Sequence, residues 1–396
     1  DLSAKATSSN EEYFEVLCTL EKTTLKAQEE TTLKVTVRLL KTPIDETKEN
    51  LKTDIGVTVT AEPKQPGEEN NGGSQTVSSK TTKPYLPKGF RQVSGTTLDN
   101  GLTIQDSTGN QYVWIEVPMT TEVYPTAGLE ITEFTESEYT AIETDLHTYT
   151  NDYRNGTSFK DEYYSDEVTG LTSEQYTQLK QKMLKSVYQN GGFYIGKYET
   201  GTETARTSGS SSTAPTDTPV IKQNVYPYNN VTCSQAQTLA TTKMESGDRT
   251  TSLLFGVQWD LTLKYLETKG TNQADLKTNS TSCGNYRNNA WNITNANLKY
   301  APNGSGWTNA TEKSKTSSER ILLSTGASES FSKMGIYDLA GNEREWTLEY
   351  TSNTSIPCAV RGGSYSNSGS ISLASRRYSG GTTNLNGAVG FRLALY

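Results

Sequence analysis

Histidine is almost missing: His147 is the single one in 396 residues. That excludes a multi-histidine iron or zinc centre within one chain. It also excludes most histidine-based general-base chemistry away from residue 147. Its neighbours are polar, which predicts a solvated side chain. Cysteine is scarce as well. Cys18, Cys233, Cys283 and Cys358 lie far apart and form no C-x-x-C pair, so zinc spacing is absent. The last three admit either one disulfide or free buried thiols. No apolar run reaches the roughly 20 residues that span a bilayer. No run of Lys and Arg forms a basic stripe, and the net charge is −8. Nucleic-acid binding, which depends on neutralising phosphates, is therefore not expected. The chain opens at Asp1, as a processed or trimmed piece would; a signal peptide or membrane anchor would lie upstream. A G-x-S-x-G elbow is absent. Residues 191–197 approach a phosphate loop, but Tyr198 stands where a magnesium-binding hydroxyl belongs, and residues 193–195 are apolar and strand-prone.

Apolar residues are also sparse, at 32%, while charged residues are ordinary at 21%. The balance is made up by Ser, Thr, Asn and Gly, which argues for β-rich or loop-rich domains with polar surfaces rather than a charged disordered chain. The 23 tyrosines and 5 tryptophans supply large amphipathic side chains for burial. Length favours two or three domains.

Residues 13–20, 33–40 and 55–61 read as strands, the last two with the two-residue alternation of half-buried β-structure. Residues 1–64 are thus expected to form a small β-sandwich-like domain with a weak core. Residues 65–83, which take up all but the first two residues of PKQPGEENNGGS at 63–74, have a linker's composition. Residues 84–396 form the main domain. Within it, 111–117 (QYVWIEV) is the strongest strand, and 120–170 read as an insertion or long loop. A helix begins at Thr172, with Gln175 completing a capping box and Leu171 stapling onto Tyr176. Tyr176, Leu179, Met183 and Val187 share one face, which is read as core. Asn190 and two glycines close it. Residues 192–199 are a strand. Helices are expected over 234–244 and 257–266, and polar irregular chain over 270–332, with Trp291 and Trp307 as isolated anchors.

The last sixty residues carry the most specific pattern. GIYDLAGNEREWT spans 335–347, VRGGSY 360–365, SRR 375–377 and GFRLAL 390–395. Gly341 and Asn342 permit a left-handed turn, Trp346 offers a core plug, and Gly362 and Gly363 allow a bend or a close backbone approach. Phe391, Leu393 and Leu395 alternate as a terminal strand would. Together with 192–199 and 255–260, these segments resemble, in order and spacing, the formylglycine-generating-enzyme-like (sulfatase-modifying-factor) family. The resemblance covers about residues 85–396. It implies an α+β fold of the C-type-lectin type, here preceded by the small all-β domain.

The same resemblance marks a departure. Catalytic members bind copper through two cysteines in the tract after Arg-Gly-Gly. Here that tract, SYSNSGSISLASRR at 364–377, has none, and the matching positions fall at about Asn367 and Ser372. Neither is a soft ligand for copper(I). The resemblance therefore implies a non-enzymatic, extracellular ligand-binding protein on a cell or virion surface, requiring no cofactor. Residues 364–388 have a paratope-like composition of Tyr, Ser, Asn and Gly. The expected contacts are Tyr365, Asn367, Arg377, Tyr378, Asn384 and Asn386, with Arg361, Arg376 and Arg392 structural. The partner class is a protein or glycan on a cell surface. Proteins of this shape include variable proteins of diversity-generating retroelements in phages and gut bacteria, whose terminal tracts are rich in Asn and Tyr. Family members also bind calcium in the turn before the Trp motif. Asp338 and Glu345 match side-chain ligands, and Gly341 and Glu343 match carbonyl donors. Two other readings remain open: a metal-dependent oxidase on the same scaffold, and a structural surface protein assembling through residues 11–62.

Overall fold

The structure, a computed structural model, describes residues 2–8, 14–20, 32–39, 55–61, 79–80, 82–154, 158–210, 213–241 and 249–396. The chain divides into two units, Asp1–Thr76 and Val77–Tyr396.

In the first unit, Leu2–Ser8 pairs antiparallel with Ile55–Ala61, and Phe14–Leu20 with Leu33–Leu39. The three expected strands are present, and Leu2–Ser8 is a fourth. Its sequence, LSAKATS, has too few β-branched or aromatic residues to announce a strand. Cross-strand partners pair apolar with apolar: Val16 opposite Val37, Cys18 opposite Val35, Ala6 opposite Val57. Leu17, Val35, Val37, Ile55 and Val57 nonetheless stay substantially exposed, in keeping with so small a core. Most of the expected linker lies outside the described residues. Its end does not, since Ser79–Lys80 pairs with Met119–Thr120 and so belongs to the second unit.

The second unit is built on a six-stranded antiparallel sheet. Its strands run in the order Thr251–Leu253, Leu393–Leu395, Gly192–Gly196, Gln111–Glu116, Thr103–Asp106, Phe90–Gln92. Gln111–Glu116 is buried along its middle four residues because both faces are covered. The chain's last strand sits inside this sheet, between Thr251–Leu253 and Gly192–Gly196.

Six helices are described in this unit. Helix α1 is Glu136–Tyr149, α2 Asp166–Thr169, α3 Ser173–Asn190, α4 Cys233–Leu239, α5 Gly256–Thr268 and α6 Gln273–Lys277. Helix α3 has the expected Thr172–Gln175 capping box and a left-handed Gly191 at its C-cap, and it buries Tyr176, Leu179, Met183 and Val187. The segment 120–170 is not a loop. Helix α1 lies in it with Ile142 and Leu146 fully buried, followed by the buried Tyr153. Ile142 and Leu146 are its only large aliphatic residues, set among Thr and Glu, so no stripe was visible.

A second sheet runs Phe159–Lys160, Arg344–Thr351, Cys358–Arg361, Arg377–Gly380, with Val389–Phe391 added parallel to Arg344–Thr351. The terminal strand expected over 390–395 is therefore two short strands in different sheets, broken at Arg392. A third sheet corrects the reading of 270–332: Trp291–Pro302 pairs with Thr308–Lys315 and with Ile321–Leu323. Trp291–Pro302 buries only Ile293, Leu298 and Ala301 of its twelve residues, at irregular spacing around a register shift. No two-residue period survives in its sequence.

The four cysteines are free thiols: Cys18 is half-buried, the others buried. Cys233 and Cys358 hydrogen-bond each other through their thiols, and burial pushes Cys283 up to about 11. Reaction of the native chain with an aromatic disulfide reagent should label Cys18 first, and the other three only on unfolding. More than one fast-reacting thiol in the native state would contradict this burial.

Candidate functional site

Strand alternation decides which arginines are buried. Glu345, Arg361 and Arg377 stand opposite one another across the ladders of the second sheet. Successive side chains leave a strand on opposite faces. One face therefore carries Glu345, Glu349, Arg361 and Arg377; the other carries Arg344, Trp346, Val360 and Tyr378. Two arginines directly opposite repel unless anions lie between them. Glu349 and Asp260, the latter from α5, supply those anions. Arg361 reaches Asp260 Oδ1 at 2.7 Å and Glu349 Oε2 at 3.1 Å. Arg377 reaches Asp260 Oδ2 at 2.5 Å and Glu349 Oε1 at 2.6 Å. Each carboxylate bridges both guanidiniums in a closed ring of four side chains, none more than 3% exposed. Burial would raise Glu349, but Arg377 and Arg361 outweigh it and hold the carboxyl below its usual range.

The ring continues into the first turn of α5. Asp161 accepts from Gly256 N at 2.6 Å and Val257 N at 2.8 Å, satisfying amides that a helix start leaves open. Gly256 has to be glycine, because a Cβ there would collide with the Glu349 carboxylate. His147 is not solvated: its Nε2 lies 3.5 Å from Asp161 Oδ2 and its side chain is 28% exposed. Arg154 approaches both Asp161 and Asp260, at 3.9 and 3.8 Å.

The 335–347 segment makes its turn as expected. Asp338, Gly341 and Asn342 all have positive φ, at 47°, 96° and 46°. The Asn342 side chain ties three residues together through four hydrogen bonds. It donates to Glu199 Oε2 at 2.7 Å and to Leu323 O, and accepts from Leu323 N and Asn285 Nδ2. Trp346 is buried and donates to Val231 O at 3.0 Å. Gly363 lets Tyr286 and Ser372 approach to 2.5 and 2.8 Å of where a Cβ would stand.

Glu199, Asp338, Glu343 and Glu345 gather behind this turn, each about 1% exposed. Burial pushes Asp338 up to about 7 and Glu343 up to about 8, and raises Glu199 further with help from Asp338 and Glu343. The two expected side-chain calcium ligands, Asp338 and Glu345, are both buried here. Glu345 gives both oxygens to Arg392, at 2.8–3.1 Å, so that guanidinium supplies the positive charge. Asp338 Oδ2 and Glu343 Oε2 are both buried without a hydrogen-bond partner. Among the described residues no group of three or more His, Cys, Asp or Glu is placed to hold a metal ion. Arg392 also donates to Gly196 O and Tyr337 O, both at 2.8 Å, and so has the structural role expected of it.

The six expected contacts separate into two groups. Arg377 belongs to the buried ring, and Arg376, read as structural, is the exposed neighbour, its guanidinium 5.0 Å from the Tyr378 ring. A one-residue shift on a strand exchanges the two faces, and the sequence held no marker for which arginine faced inward. Tyr365 is 6% exposed and packs with Ala301 and Leu322, so it anchors the tract. Asn367 caps a turn, accepting from Ser364 N and Oγ at 3.0 and 2.9 Å. Tyr378 is half-buried, with Arg344 4.7 Å from its ring and its hydroxyl 2.9 Å from that of Ser372. Asn384 and Asn386 are exposed, alongside Leu385 at 47%. Ile371, at 62%, is a further exposed residue that sequence reasoning missed. Asp260 and Glu349 were missed too. The available signal was an acid at the centre of a helix buried almost all round, since such a charge requires a partner.

A family model, the sulfatase-modifying factor enzyme 1-like domain, matches residues 169–396, more than half of the chain. The chain belongs to this family. Its second unit is a formylglycine-generating-enzyme-like domain with an α+β fold of the C-type-lectin type, and its N-terminal region is β-rich. The family includes enzymes. Solved structures similar to the chain include Treponema denticola variable protein 1 and CarF. The first aligns at 14% identity over 81% of this chain and 98% of that one, with a TM-score of 0.21. The second aligns at 14% identity over 72% and 86%, with a TM-score of 0.22. No curated protein matches.

Two consequences are measurable. Arg377→Ala leaves Asp260 and Glu349 with one guanidinium between them and should destabilise the domain by about 3–5 kcal/mol in urea unfolding. Arg376→Ala should change stability by no more than about 0.5 kcal/mol. The reverse order would refute the assignment of faces. Second, Asp338 and Glu343 keep protons in the folded state that an unfolded chain releases near pH ~4. Stability should therefore fall as pH rises from that value through about 7 to 8. Melting midpoints at about pH 5 and about pH 8 test this, and Glu343→Gln should shrink the difference between them.

Proposed function

We propose that this chain is a non-enzymatic recognition protein that acts on a cell or virion surface. It binds a protein or glycan through the outer face of residues 364–388. The observation that carries this reading is the division within the tract. Its frame is buried through Arg377, Tyr365 and Ser372, while Ile371, Arg376, Asn384, Leu385 and Asn386 face solvent. The exposed positions are linked. Arg376 Nη1 and the Tyr378 hydroxyl both contact Ile371 O, and Asn384 Nδ2 lies 3.8 Å from the Cβ position of Gly380, two residues further along the same strand. Side chains at Ile371, Arg376, Asn384 and Leu385 are free to change without disturbing the frame, while Asn386 accepts from Ala388 N at 2.8 Å and holds the turn into the Val389–Phe391 strand.

The two positions that match the family's thiol pair support the same reading. Asn367 is engaged in its own turn, and Ser372 is 3% exposed with its hydroxyl on Tyr378. Neither offers a soft donor for copper(I). The exposed Asn, Ser and Leu side chains combine adaptable hydrogen bonding with modest apolar area, as recognition surfaces do. A tract of this kind suits sequence diversification. That would be recorded in the genome as a reverse-transcriptase gene beside the coding region, together with a near-copy of the segment encoding residues 360–390.

The test is a glycan-array and cell-surface binding screen of the full chain, followed by the double variant Asn384→Ala/Leu385→Ala against whatever partner is captured. Binding should weaken by about tenfold or more, as loss of central contacts does, with the melting midpoint unchanged. Full binding by the variant would overturn the assignment of this face.

A further inference from the structure

A depression of about 610 Å³ opens on the second unit beside the third sheet, lined in part by Arg287, Asn303, Lys313, Ser318, Glu319 and Arg320. None of its lining residues belongs to the C-terminal tract. Its charge is the notable feature. Three cations surround it with one carboxylate, in a chain whose net charge is −8. That carboxylate is already engaged: Glu319 accepts from Thr316 N at 2.6 Å and from its hydroxyl at 2.9 Å. Among the described residues none of the three cations has a carboxylate within 4.0 Å. Lys313 rests its ammonium 5.5 Å from the Tyr300 ring and acts on Glu319 only through space, adding to the Thr316 hydrogen bonds that lower its carboxyl.

The walls are fixed in place. Ser318 N donates to Arg287 O at 2.8 Å, and Asn303 N donates to Arg320 O at 2.7 Å, so both arginines rise from pinned backbone. Arg287 N also donates to Asn367 O at 2.8 Å, which joins this wall to the first turn of the tract. Guanidinium groups held this way present paired N–H donors that match the oxygens of a carboxylate or sulfate. The volume falls within the range of small-ligand sites.

We propose that this depression binds the anionic group of an acidic sugar. The charge calls for an oxyanion, and the rest of the lining selects its carrier. Among the described residues no aromatic side chain lines the depression, so an aromatic acid or a nucleobase finds no ring to stack on. Asn303 and Ser318 instead offer an amide and a hydroxyl suited to a ligand rich in hydroxyl groups. Carboxylated and sulfated sugars share this chemistry. The site shares no lining residue with the outer face of residues 364–388, and its failure would leave binding through that face untouched.

The experiment is calorimetric titration of the full chain with a galacturonate trimer, a sulfated heparin disaccharide and neutral lactose. At least one acidic sugar should bind and lactose should not; which acid binds tells carboxylate from sulfate. Arg320→Ala, an exposed and therefore structurally safe change, should weaken binding by about tenfold, and Lys313→Gln by a smaller factor. Raising the salt concentration should weaken it as well. Failure of both acidic sugars to bind at millimolar concentration would overturn the proposal. So would equal binding of lactose, or an Arg320→Ala variant that binds like the parent.

Discussion

Two arginines placed face to face across a β-ladder impose a condition on everything around them. Arg361 and Arg377 cannot occupy adjacent buried positions unless two carboxylates are delivered between them, and those carboxylates come from different elements. Glu349 arrives on the neighbouring strand and Asp260 from the middle of α5. The helix is therefore held at one height and one rotation against the second sheet. Its first turn is fixed in addition by Asp161, whose chain segment leads back to α1. Such a ring adds little net stability over a well-packed apolar core, but it penalises every misalignment, because any shift strands a buried charge. The register of the sheet and the seating of the helix are thus one constraint.

Arg392 does comparable work between the two large sheets. It marks the break between Val389–Phe391 and Leu393–Leu395, so its guanidinium lies where the sheets diverge. There it closes on Glu345 and on carbonyls from Gly196 and Tyr337. The acids behind the 335–347 turn are left with less positive charge than negative. That imbalance is why burial raises the Asp338 and Glu343 carboxyls.

Helix α3 was legible in full, because its cap, staple, stripe and glycine stop all agree. The Trp346 plug and the left-handed turn at Gly341 and Asn342 were legible as well, since Gly and Asn leave few other uses. Helix α1 was hidden: Ile142 and Leu146 are too few to mark a stripe among threonines and glutamates. The strand Trp291–Pro302 was hidden by its register shift. At the candidate site, the tract was found but not its orientation. Arg376 and Arg377 are identical in type and adjacent, and only the partner acids, far away in the chain, decide which one turns inward. Tyr365 had the composition of a contact residue but the packing of an anchor.

The position of Leu393–Leu395 inside the six-stranded sheet has a consequence for inheritance. Until those residues are synthesised, Gly192–Gly196 and Thr251–Leu253 have no strand between them. The coding segment for residues 364–388 lies upstream of that closing strand. An insertion or deletion there that shifts the reading frame forfeits the sheet, and with it the fold, whereas a point substitution at a solvent-facing codon leaves it intact. The architecture thus acts as a proofreader, passing changes of letter and rejecting changes of frame.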